Sequence, residues 1–132
     1  MTYLLDTNIV TYVLKRNATV DKKLRDVRTL GQEVFISCIT FYEIKRGLLA
    51  VNATRQLSEF NRFCRNYKVL LLDDIETIEK ACEIHADLKN KGTLIQEPDI
   101  LIAATAITCG LILVSNDFDM LRVPEISLEN WL

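Results

Sequence analysis

The stretch Tyr3-Leu4-Leu5-Asp6-Thr7-Asn8 decides how the rest of the chain is read. Three apolar residues stop on a carboxylate, the pattern of a short buried strand that ends at Asp6. In an open α/β sheet the functional crevice lies outside the carboxyl ends of the parallel strands, so an acid one residue past such a strand faces it. The structural alternative is that Asp6 or Asn8 caps the helix that follows, because Asp and Asn are favoured cap residues.

Working outward, Ile9 to Leu14 fits a short buried helix closing on Lys15-Arg16-Asn17. Val20, Leu24, Val27 and Leu30 mark one face of a second helix, which Gly31 ends. Glu33 to Ile39 is apolar through most of its length, as expected for a strand covered on both faces. Thr40 with Glu43 three residues on matches a capping box, in which Glu43 reaches back to the cap's own amide. Against that, Phe41, Ile44, Leu48 and Val51 form an apolar face and leave Glu43 and Gly47 one turn apart beside it, so that Glu43 would look into the same crevice as Asp6.

Leu57, Phe60, Phe63 and Cys64 predict a further helix to about Asn66, and Arg55, Arg62 and Arg65 give it an ordinary solvated basic face. Tyr67 to Leu72 reads as the third strand. Asp73-Asp74 then start a long helix, with Ile75, Ile78, Ala81, Cys82, His85 and Leu88 inward as far as Lys91; there the adjacent acids suit the macrodipole and His85 is packed rather than catalytic. Glu97-Pro98-Asp99 opens a helix to Cys109 that is apolar nearly all round, with Gly110 just beyond its end. Leu111 to Val114 is the fourth strand, and its exit, Ser115-Asn116-Asp117-Phe118-Asp119, repeats the arrangement of the first. Pro124 breaks the turn that follows, and Glu125 to Leu132 reads as an edge strand whose Trp131 covers one end of the core.

Strand and helix patterns thus alternate about four times, which predicts a three-layer α/β/α domain around a mainly parallel sheet of four to five strands. At 132 residues the chain is expected to form one domain, 1–132, able to bury a core without disulfides or structural metal. Sixteen Lys plus Arg against eighteen Asp plus Glu leave a net charge of -2, so no overall basic field announces a partner. No apolar run approaches the roughly 20 residues of a membrane span, and no signal-peptide pattern opens the sequence, so the cytoplasm is the expected compartment. The four cysteines, Cys38, Cys64, Cys82 and Cys109, never form a close pair and read as small buried hydrophobes. A single histidine excludes sites that need two.

What remains is carboxylate chemistry. Asp6, Glu43, Asp99 and Asp117 all fall where a strand leaves the sheet or a helix enters it, so the fold would gather four acids in one cleft. Such acids raise one another's pKa unless a cation neutralises them. An all-oxygen set without His or Cys suits Mg2+ or Mn2+ rather than zinc, and such ions assist phosphodiester hydrolysis. Asp119 is an alternative to Asp117, and Glu97 a weaker one to Asp99. Lys45 and Arg46, just past Glu43, are candidates for contact with substrate phosphates, although exposed basic residues are more often only solvated.

In these motifs the chain resembles the PIN-domain ribonucleases of the VapC toxin type, over essentially its whole length. The resemblance rests on Leu4-Leu5-Asp6-Thr7-Asn8, on Ile36-Ser37 with Thr40 and Glu43, on Asp99-Ile100-Leu101-Ile102-Ala103-Ala104-Thr105-Ala106, on Val114-Ser115-Asn116-Asp117, and on the Glu129-Asn130-Trp131-Leu132 ending. It implies an endoribonuclease that cuts single-stranded regions of structured RNA with Mg2+ or Mn2+. It also implies a homodimer and a cognate VapB-like antitoxin. Residue by residue it implies metal-binding roles for Asp6, Glu43 and Asp99, a less constant fourth acid at Asp117, and supporting roles for Thr7 and Asn8; Ser115 and Asn116 complete the fourth block. Two rival readings stand beside it: a catalytically weak RNA-binding or interaction module of the same fold, and a metal-dependent phosphatase. The phosphatase suffers because the residue two past Asp6 is Asn8, not a second Asp.

Overall fold

The apolar run at the start of the chain is the middle of the sheet. In the computed structural model, which describes residues 1–132, β1 (Thr2–Leu5) lies between β2 (Glu33–Ser37) and β4 (Ile112–Val114), parallel to both. β3 (Lys68–Leu70) extends the sheet beyond β2, and β5 (Leu128–Glu129) beyond β4, giving the order β3-β2-β1-β4-β5 with every pair parallel. Neighbouring side chains on a strand point to opposite faces. Tyr3 and Leu5 therefore enter one core and Leu4 the other.

The first core is closed by α1 (Thr7–Leu14), α2 (Ala18–Thr29), α3 (Cys38–Ala50) and α4 (Thr54–Asn66), which contribute among others Val10, Leu24, Ile44 and Phe60. The second is closed by α5 (Ile75–Asn90) and α6 (Glu97–Thr108) through Ile84, Leu88, Ile102 and Ala103. The three-layer α/β/α expectation is met. Burial on both faces is why the strands read as unbroken apolar runs. Gly110 follows α6 at φ 66°, the left-handed conformation that stops a helix most cheaply in glycine. Trp131 is buried edge-on to the Tyr3 ring at 5.3 Å, covering the end of the first core as the sequence predicts.

Several local expectations are corrected. The second strand stops at Ser37 rather than Ile39, because the buried Ser37 hydroxyl accepts from the Ile39 amide and caps α3 there. Cys38 and Ile39 are the first turn of that helix; a short apolar run does not distinguish strand from helix by periodicity alone. Thr40 is therefore no cap, and Glu43 sits in the second turn, with no free amide to bond, so the capping box does not form. The third strand is shorter than Tyr67 to Leu72, since β2 offers partners only for Lys68–Leu70, and Leu71 is exposed. The cysteines are not core residues: Cys38 and Cys64 are half-buried, and Cys82 and Cys109 are exposed.

A candidate active site at the switch point of the sheet

The strand order reverses its sense between β1 and β4, and the carboxyl ends of the two strands on either side of that point carry Asp6 and the Ser115-Asn116-Asp117 exit. A crevice must open there, because the connections leave in opposite directions. Asp6 continues the ladder by one bond, its amide donating to the Val114 carbonyl at 2.9 Å, and then the chain turns into α1. Both readings of Asp6 hold together. Its Oδ1 accepts from the Thr7 amide at 2.8 Å as the cap of α1, while Oδ2 accepts from Ser115 Oγ at 2.7 Å across the β1/β4 gap. Ser115 Oγ in turn accepts from the Asp117 amide at 3.0 Å, and Asp117 Oδ1 from the Asp119 amide at 2.9 Å.

Thr7 is the second hub. Its hydroxyl donates to Glu43 Oε1 at 2.8 Å and lies 3.0 Å from Thr40 Oγ1. A hydroxyl has one proton, so Thr40 is the donor to Thr7. Thr40 is completely buried, and this relay holds Glu43 beside Asp6 although the two arise from α3 and β1. Thr40 is the positioning residue that sequence reasoning missed. Its spacing from Glu43 was the available signal, and that spacing was assigned to a cap.

Asp99, third residue of α6, completes the group. Burial first, and then the charges of Asp6, Asp117, Glu43 and Asp119, push its carboxyl from 3.8 up to about 6. Asp6 is also raised, chiefly by burial and further by Asp117 and Glu43, while the bonds from Ser115 and Thr7 pull the other way. The four acids chosen from the sequence are thus near enough to repel one another. Asp119 stands further out: it pairs with Arg122 at 3.2 Å and is not among the charges acting on Asp6. Glu97 is exposed on a groove between α5 and α6. Asn8 is exposed too, and Lys45 turns away, its ammonium 3.5 Å from Asn61 Oδ1 on α4 and over the Phe41 ring. Arg46 stays on the side of Glu43.

The residues fit a hard divalent cation. The side chains offer only oxygens, their mutual repulsion is unrelieved by any Lys or Arg salt bridge among Asp6, Glu43, Asp99 and Asp117, and the buried Asn116 Oδ1 next to Asp117 has no hydrogen-bond partner. No three of the acids form a ready-made cage. That suits Mg2+ or Mn2+, which keep several waters and are held by one or two carboxylates together with substrate phosphates rather than by an all-protein shell.

The chain belongs to the PIN-domain family, whose model matches residues 3–126. Within that family its relatives are VapC proteins: it is 35% identical over 134 residues to Ribonuclease VapC2 of Haemophilus influenzae, covering 98% of each chain. It is 29% identical over 131 residues to the tRNA(fMet)-specific endonuclease VapC of Salmonella typhimurium, covering 98% of this chain and 97% of that one. The VapBC2 structure from Rickettsia felis, bound to a DNA fragment from its promoter, contains a chain that superposes with a TM-score of 0.92 at 27% identity over 100% of both chains.

Proposed function

We propose that the protein is a Mg2+- or Mn2+-dependent endoribonuclease, the toxin of a VapBC-type pair, hydrolysing phosphodiester bonds in single-stranded regions of structured RNA. The observation that carries the reading is the meeting of Asp6, Glu43, Asp99 and Asp117 at the switch point, with Asp99 raised to about 6 by burial and then by the charges of its neighbours. A merely structural site would not retain four mutually repelling acids, and the identity to named ribonucleases supplies the substrate class.

In this reading Asp6, Glu43 and Asp99 would hold the principal ion, and Asp117, directly or through water, a second position. When bound, the ion supplies Lewis acidity to the phosphate oxygens and lowers the pKa of water. The chain's own residues do the positioning: Ser115 and the Thr7 amide fix the Asp6 carboxylate, and the Thr40–Thr7 relay fixes Glu43. Asp99 retains its proton up to about pH 6, so below that pH an ion must displace a proton to bind there. The reading includes residues 1–132 as one domain, a cytoplasmic setting, a VapB-like antitoxin and a homodimer. Exposed Leu49 and Val51 at the C-terminal end of α3 are apolar surface suited to self-association, and no helix is long and apolar enough to cross a membrane.

The test is incubation of purified protein with labelled initiator tRNA and with total RNA, in Mg2+ and in EDTA. Cutting in Mg2+ alone, lost in Asp6→Asn with an unchanged circular dichroism spectrum, is the expected result. If Asp6→Asn cuts as fast as the parent, the site is assigned wrongly.

A further inference from the structure

A cleft of about 370 Å³ runs away from the acids between α1, α3 and α4. Thr7, Glu43, Lys15, Arg46, Gly47 and Gln56 are among its lining residues, Lys15 and Arg46 being exposed and Thr7 and Glu43 half-buried. Its size falls at the lower end of the range for ligand sites, about 300–1,000 Å³. Two features of these residues bear on what the cleft could hold. The first is charge: Lys15 and Arg46 are both exposed and, like nine of the other basic residues, form no salt bridge, so both charges are available to a ligand. The Arg46 guanidinium is stacked over the exposed Tyr42 ring at 5.1 Å, which orders it without spending its hydrogen-bond donors.

The second feature is Gly47. It lies in the interior of α3, where glycine costs about 1 kcal/mol relative to alanine. It is not among the positive-φ glycines, and a Cβ built on it meets nothing within 4 Å. Neither backbone conformation nor packing against the rest of the chain requires it. A helix-interior glycine facing open space beside Glu43 leaves room for something from outside to approach the backbone closely.

We infer that this cleft seats the RNA strand on one side of the scissile phosphate, with Lys15 and Arg46 each contacting a flanking phosphate and Gly47 leaving room for the ribose–phosphate chain. The inference rests on the proposed nuclease reading. A polyanion is favoured over a protein segment because both basic side chains of the cleft are free of ion pairs, and because the cleft includes Glu43, beside which a strand held for cutting must pass. Lys45 takes no part, since its ammonium faces α4.

The test is fluorescence anisotropy with a labelled oligouridylate of about ten nucleotides, titrated in EDTA across a series of salt concentrations. Lys15→Gln and Arg46→Gln should each weaken binding several-fold and each reduce the slope of log K against log salt by about 0.7, the value for one phosphate contact on a single strand. Gly47→Leu should weaken binding by at least about tenfold while melting no lower than the parent, because the substitution raises helix propensity and enters open space. In Mg2+ the same three variants should raise KM more than they lower kcat. If the two charge variants keep the parental affinity and salt slope, or Gly47→Leu binds as the parent does, the cleft does not hold RNA and belongs to another partner. The parent's cutting in Mg2+ tests the nuclease reading separately, so the two failures are distinguishable.

Discussion

Replacing Asp99 by Asn should make the metal-free protein more stable, and the gain should follow the ionisation of a carboxyl that is both half-buried and surrounded by other acids. A carboxyl raised from 3.8 to about 6 corresponds to about 3 kcal/mol at 1.36 kcal/mol per pH unit. Asp99 is only half-buried, so solvent screening reduces the expressed cost to about 1–2 kcal/mol. For a chain of this size that is about 4–8 °C in Tm. The sign follows from linkage: the folded chain holds the Asp99 proton more tightly than the unfolded chain, so stability falls as pH rises from 3.8 through about 6 and is level above. The advantage of Asp99→Asn should therefore be complete above about pH 7 and absent below about pH 4. Thermal melts in EDTA across that range provide the assay. Saturating Mg2+ or Mn2+ should then raise the parent, by about 2.7 kcal/mol at a hundredfold excess over Kd, and raise the variant much less. A variant that melts at or below the parent at pH 7.5, or differs from it by the same amount at every pH, would refute the argument that the ionised Asp99 carboxylate destabilises the metal-free fold.

Thr7→Val removes the acceptor of the buried Thr40 hydroxyl and the donor to Glu43, and should cost about 1–3 kcal/mol in urea unfolding together with a fall in kcat. Ser115→Ala leaves the buried Asp6 carboxylate one charge-assisted bond short and the Asp117 amide without its acceptor; the expected loss is about 2 kcal/mol at pH 7 by the same assay, and smaller at pH 4. Asp117→Asn should abolish cutting, whereas Asp119→Asn, which breaks only a surface pair with Arg122, should stay within about twofold of the parent in activity and 1 kcal/mol in stability; equal losses in the two would reverse the assignment of the fourth acid.

The sheet and its acids were legible in the sequence because their signals are local. Strands buried on both faces read as apolar runs, and Asp6 and Asp117 each follow such a run within three residues. The start of α3 was not legible, because Ser37, Cys38 and Ile39 suit a strand end and a helix start equally, and what decides is the Ser37 hydroxyl accepting from the Ile39 amide. Thr40 was misread because the bond to Thr7 spans 33 positions, and nothing local announces it. Lys15 was invisible as well, since its place in one cleft with Glu43 follows from how α1 packs against α3. The exposed Cys82 and Cys109 show the limit of reading burial from residue type, as each lies one step round a helix, or just past its end, from a buried neighbour.

The bond from Ser115 to Asp6 joins residues 109 positions apart. Translation at about 5–20 residues per second makes Asp6 many seconds before the hydroxyl that orders it, so a growing chain has the first acid and no finished centre. Whatever this enzyme cuts, it starts only when the fourth strand has slotted in beside the first. A protein able to grip the earlier helices therefore has time to reach the chain while it is still harmless.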